Sequence, residues 1–157
     1  MTQEEKDLLL KDLCARLPYG VKVEIKNVSK ICTLEEIDCS WEEMSVAVRH
    51  ENGEMNGYDF DNAKPYLFPL SSMTEEQKEE LFKFCEFYIS EDWEGKKSEV
   101  YGIEIASRLD PAYCYDHNFN MWNVDMRAID WLLKNHFDIY GLIGKGIALE
   151  ATKGIYN

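Results

Sequence analysis

Four residues of this chain carry the side chains that metal-assisted hydrolysis needs. Asp116 and His117 form one pair, His136 and Asp138 another. Carboxylate and imidazole together can hold a divalent ion and activate the water bound to it. The two pairs stand in different segments, and neither shows the His-Glu-x-x-His spacing that sets two ligands on one helix face. Read locally, His136 stands near a helix C-terminus, where the dipole favours a protonated imidazole. Asp138 caps the turn that follows, and Asp116-His117-Asn118 is ordinary loop chemistry. No catalytic residue, metal or cofactor is therefore expected. A small metal-dependent hydrolase built on these four residues is the alternative.

Two further motifs weaken on inspection. Gly141–Gly146, GLIGKG, shares Gly144-Lys145 with a phosphate-binding loop. Gly146 stands where that loop needs Ser or Thr, Ile139 where it needs its first Gly, and the preceding element reads as a helix. The glycines read as turn and C-cap positions. Cys114 lies three residues before His117, but a reactive thiolate also needs an electropositive setting, and nothing supplies one. The five cysteines are odd in number and form no Cys-x-x-Cys pair, so they are expected to be reduced. Cys14 and Cys85 read as core positions on helical stripes.

Two surfaces remain. Trp93, Tyr113, Tyr115, Phe119 and Trp122 make a protein interface if exposed, or a second small core if buried, as large aromatics more often are. Carboxylates crowd two regions: Glu35, Glu36, Asp38, Glu42 and Glu43 in the first, Glu75, Glu76, Glu79, Glu80, Glu86, Glu91, Asp92 and Glu94 in the second. With 30 acidic and 17 basic residues the net charge is −13. Such a chain does not bind nucleic acid or an anionic membrane through a basic face. It can bind a basic protein, and a row of carboxylates can imitate DNA phosphates. The plainer reading is a solvated face that keeps the protein soluble.

The elements that must position these residues follow from periodicity. Thr74-Glu75-Glu76-Gln77 has capping-box form, and Leu81, Phe84, Cys85 and Tyr88 recur at helical spacing, predicting a helix over Glu75–Ser90. Pro65 biases Lys64 toward an extended conformation, so a strand or turn should end there, and Pro69 makes Tyr66–Leu70 an extended link rather than a regular strand. Thr2–Glu5 repeats the capping box ahead of a helix over Gln3–Arg16, with Leu10, Leu13, Cys14 and Leu17 as its stripe and Pro18-Tyr19-Gly20 as its stop. Val21–Lys26 alternates as a strand, as does Met44–His50. Ile31–Asp38 fits strand by Cys32 and Leu34 and helix by Ile31, Leu34 and Ile37; its neighbours favour strand. Asn52-Gly53 signals a type I′ hairpin leading to Tyr58 and Phe60. A last helix follows Asn123 and ends near His136, and the glycine-rich tail predicts a helical turn and an extended end. Residues 98–122 leave helix and strand both open: Tyr101, Ile103 and Ile105 alternate, whereas Ser98 can cap a short helix.

The expected fold is α+β: an N-terminal helix, an antiparallel meander of three or four strands, and two further helices covering it. At 157 residues and 45% hydrophobic content, a single domain over 1–157 is expected. No window approaches the apolar length of a membrane span, and the acidic start MTQEEKDLLL is unlike a signal peptide, so a cytoplasmic location is expected.

Three stretches carry a resemblance: KPYLFPLSSMTEEQ (Lys64–Gln77), IDWLLKNHFDIYGLIGKGIALEA (Ile129–Ala151) and EEKDLLLKDLCARLPYGV (Glu4–Val21). They resemble an uncharacterised small-protein group of Bacteroides-type gut bacteria and their phages and mobile elements. The resemblance covers roughly half the chain and implies a common fold and a mobile-element setting. It implies no activity, and no functional residue carries over. Together these readings point to a non-catalytic accessory or protein-interaction protein of a prophage or mobile element, acting through an acidic or aromatic surface.

Overall fold

A computed structural model describes residues 1–28, 30–40, 44–82 and 126–156. The chain forms two compact units, one of Met1–Phe68 with Gly141–Asn157, the other of Pro69–Tyr140.

The first unit holds α1 (Gln3–Arg16) and six strands: β1 (Lys22–Ile25), β2 (Ile31–Asp38), β3 (Ser45–Arg49), β4 (Met55–Asp59), β5 (Ala63–Leu67) and β6 (Leu149–Glu150). They run in the order β4-β3-β2-β1-β5-β6. The first four are the expected antiparallel meander. β5 returns to pair antiparallel with β1, and β6 adds in parallel to β5, so the sheet is mixed rather than purely antiparallel.

Alternation places the core. Val21 just before β1, Val23 and Ile25 on β1, Cys32 and Leu34 on β2, and Val46 and Val48 on β3 are buried. The other face is polar: Lys22 Nζ donates to Thr33 at 2.7 Å, and Arg49 Nε donates to Glu35 at 2.8 Å. One face dry and one wet is the usual state of an antiparallel sheet. The double periodicity of Ile31–Asp38 has a structural cause. The β2–β3 register shifts between Leu34 and Glu36, so Glu35 is an extra residue. Such a bulge reverses the phase of alternation. Ile37 then shares the face of Leu34 three residues on, a strand spaced like a helix.

The β3–β4 hairpin forms, though not as type I′, which needs positive φ at both central residues. Only Gly53 has it (φ 87), and Asn52 does not. Gly53 N–H donates to the His50 carbonyl and His50 N–H to the Glu54 carbonyl, both at 2.9 Å. This is a type I turn closed by a glycine bulge. The Asn52 side chain adds to it by accepting from Glu54 N–H at 3.1 Å.

A strand or turn was expected to end at Lys64, before Pro65, yet β5 runs through Pro65 to Leu67. Lys26 N–H bonds the Asn62 carbonyl, and β1–β5 pairs continue as Glu24 with Lys64. Hydrogen-bonded pairs alternate in such a ladder. Pro65, opposite Val23, therefore sits where no donor toward β1 is required. On its other side, pairing with β6 begins only at Tyr66.

The next hydrogen-bonded position is Lys22 with Tyr66, and a side chain fills it. The Tyr156 hydroxyl accepts from Lys22 N–H at 3.3 Å and donates to the Tyr66 carbonyl. Its ring rests on Phe68, with centroids 5.8 Å apart. A residue next to the C-terminus thus closes the end of the β1–β5 ladder.

The N-terminal helix has its predicted bounds and cap: Glu5 N–H donates to Thr2 Oγ1 at 3.2 Å, and Thr2 N–H to Glu5 at 2.8 Å. Its buried stripe is not the one expected. Leu9, Asp12, Leu13 and Arg16 are buried, whereas Cys14 is exposed and Leu10 and Leu17 are intermediate. The true stripe lies one residue away, because Asp12 and Arg16 neutralise each other. Arg16 Nε and Nη2 each donate to Asp12 at 2.8 Å, with both side chains fully buried.

The second unit holds α2 (Glu75–Phe82) and α3 (Met126–Lys134). The α2 cap is as predicted: Gln77 N–H donates to Thr74 Oγ1 at 3.3 Å and Thr74 N–H to the Gln77 side chain at 2.9 Å. Leu81 is buried. Phe84, Cys85, Tyr88 and the expected run to Ser90 lie outside the described residues, as do residues 98–122 and Asn123. The two helices expected to cover the sheet belong to this second unit, and only α1 shares the unit of the sheet. No helix among the described residues is long and apolar enough to cross a membrane.

Candidate functional site

The first unit brings together two arrangements with chemical potential, a thiol–imidazole–phenol chain on the inner face and an acidic strand at the sheet edge. Both arise at the hairpin that joins β3 and β4.

The register pairs Thr33 with Arg49, so Cys32 stands opposite His50 on the neighbouring strand. Cys32 Sγ lies 3.3 Å from His50 Nδ1, and Tyr58 Oη lies 3.4 Å from His50 Nε2. The thiol also lies 3.5 Å from the Lys30 carbonyl. The thiol has one proton, so it donates either to the Lys30 carbonyl, with His50 Nδ1–H donating to sulfur and the Tyr58 hydroxyl to Nε2, or to Nδ1, with Nε2–H donating to the phenol; the imidazole tautomer decides. A nucleophile, a base and an orienting third group is the general form of an activated-nucleophile site. Here the surroundings of the thiol oppose activation. Burial pushes the Cys32 thiol up, the Glu51 carboxylate adds to this, and Lys22 opposes it more weakly. The thiol is 1% exposed. A thiol raised and enclosed in this way is inert. The chain satisfies three polar side chains at the margin of the core.

Alkylation reads this directly. Peptide-resolved mass spectrometry of folded protein treated with iodoacetamide should find Cys14 and Cys39, both exposed, modified first. Cys32 should react only as the first unit unfolds. Cys32 labelling as fast as Cys14 would show an open, activated thiol.

The edge is the second arrangement. β4 ends the sheet, and Met55, Asn56, Gly57 and Asp59 are exposed, with Met55 48% accessible. From His50 to Ala63 the chain carries Glu51, Glu54, Asp59 and Asp61 and neither Lys nor Arg. Asp61 is held by Lys6 at 2.7 Å. Among the described residues no cation pairs with Glu51, Glu54 or Asp59.

Of the four predicted metal residues, the described structure contains two. His136 and Asp138 are buried in the second unit, 6% and 8% exposed. His136 has φ 59, its N–H donates to the Leu133 carbonyl, and Phe137 N–H donates to the Leu132 carbonyl, both at 3.0 Å. This bond pair is the Schellman closure of α3, with His136 at the left-handed position usually given to Gly. The Phe137 ring stacks on Trp131 beside it, 5.9 Å away. Asp116 and His117 lie outside the described residues, and so do Cys114 and the aromatic set Trp93, Tyr113, Tyr115, Phe119 and Trp122. Among the described residues no group of three His, Cys, Asp or Glu side chains could hold a metal. Gly141–Gly146 forms a turn: Lys145 N–H bonds the Gly141 carbonyl, and Lys64 Nζ donates to the Gly146 carbonyl at 2.7 Å. Of the first acidic group, Glu35, Glu36 and Asp38 are exposed on β2.

Comparison of the chain with protein-family models, with curated proteins and with solved structures finds no match in any of the three.

Proposed function

We propose that the chain is a non-catalytic interaction protein that engages a basic protein partner through the acidic surface of its first unit. The observation that carries this reading is the disposition of charge. Arg16, Arg49 and Lys6 are committed to Asp12, Glu35 and Asp61. The carboxylates of the β3–β4 hairpin are exposed and pair with no cation among the described residues. Uncompensated charge of one sign steers a partner of the other sign and accelerates encounter. The thiol of the one nucleophile–base chain in the described residues is buried and pushed up by that burial, which supports a binding role over a catalytic one. On the resemblance to mobile-element proteins of Bacteroides-type bacteria, the partner is sought in such a host or in the element itself.

Affinity capture from a lysate of such a host tests the reading. A basic protein should be retained at low salt, weaken as ionic strength rises, and be lost from a Glu51→Gln/Glu54→Gln/Asp59→Asn variant. If neither low nor physiological salt retains a protein that discriminates between the two forms, the acidic surface is only a solubilising one.

A further inference from the structure

We infer that the open edge of β4 accepts an extended basic segment of a partner protein as an added strand. The inference rests on the acidic-surface reading and names how that surface is used.

The geometry of the edge follows from the β3–β4 ladder. His50 is bonded to Glu54 and Phe60 to Met44, so the even-numbered residues of β4 exchange hydrogen bonds with β3. Met55, Gly57 and Asp59 therefore turn their N–H and C=O groups outward, where no strand among the described residues pairs with them. All three residues are exposed. A row of outward donors and acceptors is what strand addition uses for affinity, with side-chain contacts supplying choice. Gly57 lies at the centre of the row, and a Cβ built there would meet nothing within 4 Å. The gap admits close approach of another backbone, and the exposed Met55 side chain beside it offers apolar contact to the stem of a lysine or arginine.

Charge decides the occupant. An unprotected edge invites a second copy of the same chain, and natural proteins block this with edge charge. A second β4 added antiparallel about Gly57 would bring Glu51, Glu54 and Asp59 of both copies along one seam, with no cation in either strand. The carboxylates that repel a copy attract a strand carrying Lys or Arg.

Amide hydrogen exchange of the full chain, with a synthetic peptide of alternating lysine and valine as probe, tests the inference. Binding should slow exchange at Met55, Gly57 and Asp59 by about tenfold or more, and leave Asn56 and Tyr58 nearly unchanged because β3 already holds them. Gly57→Pro removes one outward donor at an edge position where proline is tolerated. It should weaken the peptide about tenfold while leaving the thermal transition in place. Three results overturn the inference in distinguishable ways. Salt-sensitive binding without protection at those amides, and indifferent to Gly57→Pro, removes the added strand and keeps the acidic surface. No binding at low salt removes both. Protection of the same amides that rises with protein concentration in the absence of peptide makes the occupant a second copy.

Discussion

Asp12→Ala should lower the stability of the first unit by about 3–5 kcal/mol, more than any other single charged substitution in that unit. Both members of the Asp12–Arg16 pair are fully buried, and Arg16 binds Asp12 through two nitrogens. Removing the carboxylate leaves a guanidinium inside the protein, at the cost of desolvating a charge with its counter-ion gone. A surface pair one helical turn apart, such as Lys78–Glu75 on α2, is worth a few tenths of a kcal/mol. Burial makes the difference. The pair itself is not a large net stabiliser, since the attraction between its members is largely offset by what both lost on leaving water. Replacing both residues, as Asp12→Leu with Arg16→Met, should therefore recover most of the loss. Arg16→Lys should not, because an ammonium cannot reproduce the two-pronged contact. Chemical denaturation, with amide exchange at Val23 and Val48 to isolate the first unit, gives the three values. A loss below about 1 kcal/mol for Asp12→Ala would mean that water reaches the pair.

The same pair shows where sequence reading stopped. Thr2–Glu5 and Thr74–Gln77 are local rules, complete within four residues, and both caps were legible. So was the alternation of β1 and β3, because each strand has one dry face. The buried stripe of α1 was not, since pattern rules send Asp12 and Arg16 to water, and only their mutual neutralisation brings them inside. β5 was hidden for a related reason: Pro65 is a strand breaker unless the register places it opposite a position that needs no donor. Register is a property of two strands and cannot be read from one. The Cys32–His50–Tyr58 chain depends on it entirely. Cys32 and His50 are 18 residues apart in sequence, joined across strands whose loop carries no turn signal of its own. Alternation does put Cys32 with Leu34 and His50 with Val48, and that was the one available hint. The acidic edge was half legible. The carboxylates were visible as composition, but that they flank the terminal strand follows from the strand order.

Tyr156→Phe should cost about 1–3 kcal/mol and flatten the alkaline limb of the stability profile. The ring contact with Phe68 is kept by phenylalanine, so the variant isolates the hydroxyl. That oxygen is the only link between Lys22 N–H and the Tyr66 carbonyl at the point where the β1–β5 ladder ends. Without it, a donor and an acceptor at the sheet end lose their partner together. The pH dependence follows from the same placement. Burial pushes the Tyr156 phenol well above its ordinary value near 10, against the lowering by the Lys22 backbone bond and by Arg16, while Asp12 adds to the rise. Above pH 10 the unfolded chain gives up this proton before the folded one does, so protons favour the folded state. The contribution of Tyr156 is complete below its unfolded pKa and declines as pH rises beyond it. Melting temperatures from pH 8 to 11.5 should therefore fall more steeply above about pH 10 for the native sequence than for Tyr156→Phe. Lysines and the other tyrosines titrate in both proteins and cancel in the difference. Parallel profiles for the two proteins, with equal stability at neutral pH, would mean that the hydroxyl does not bridge the strands.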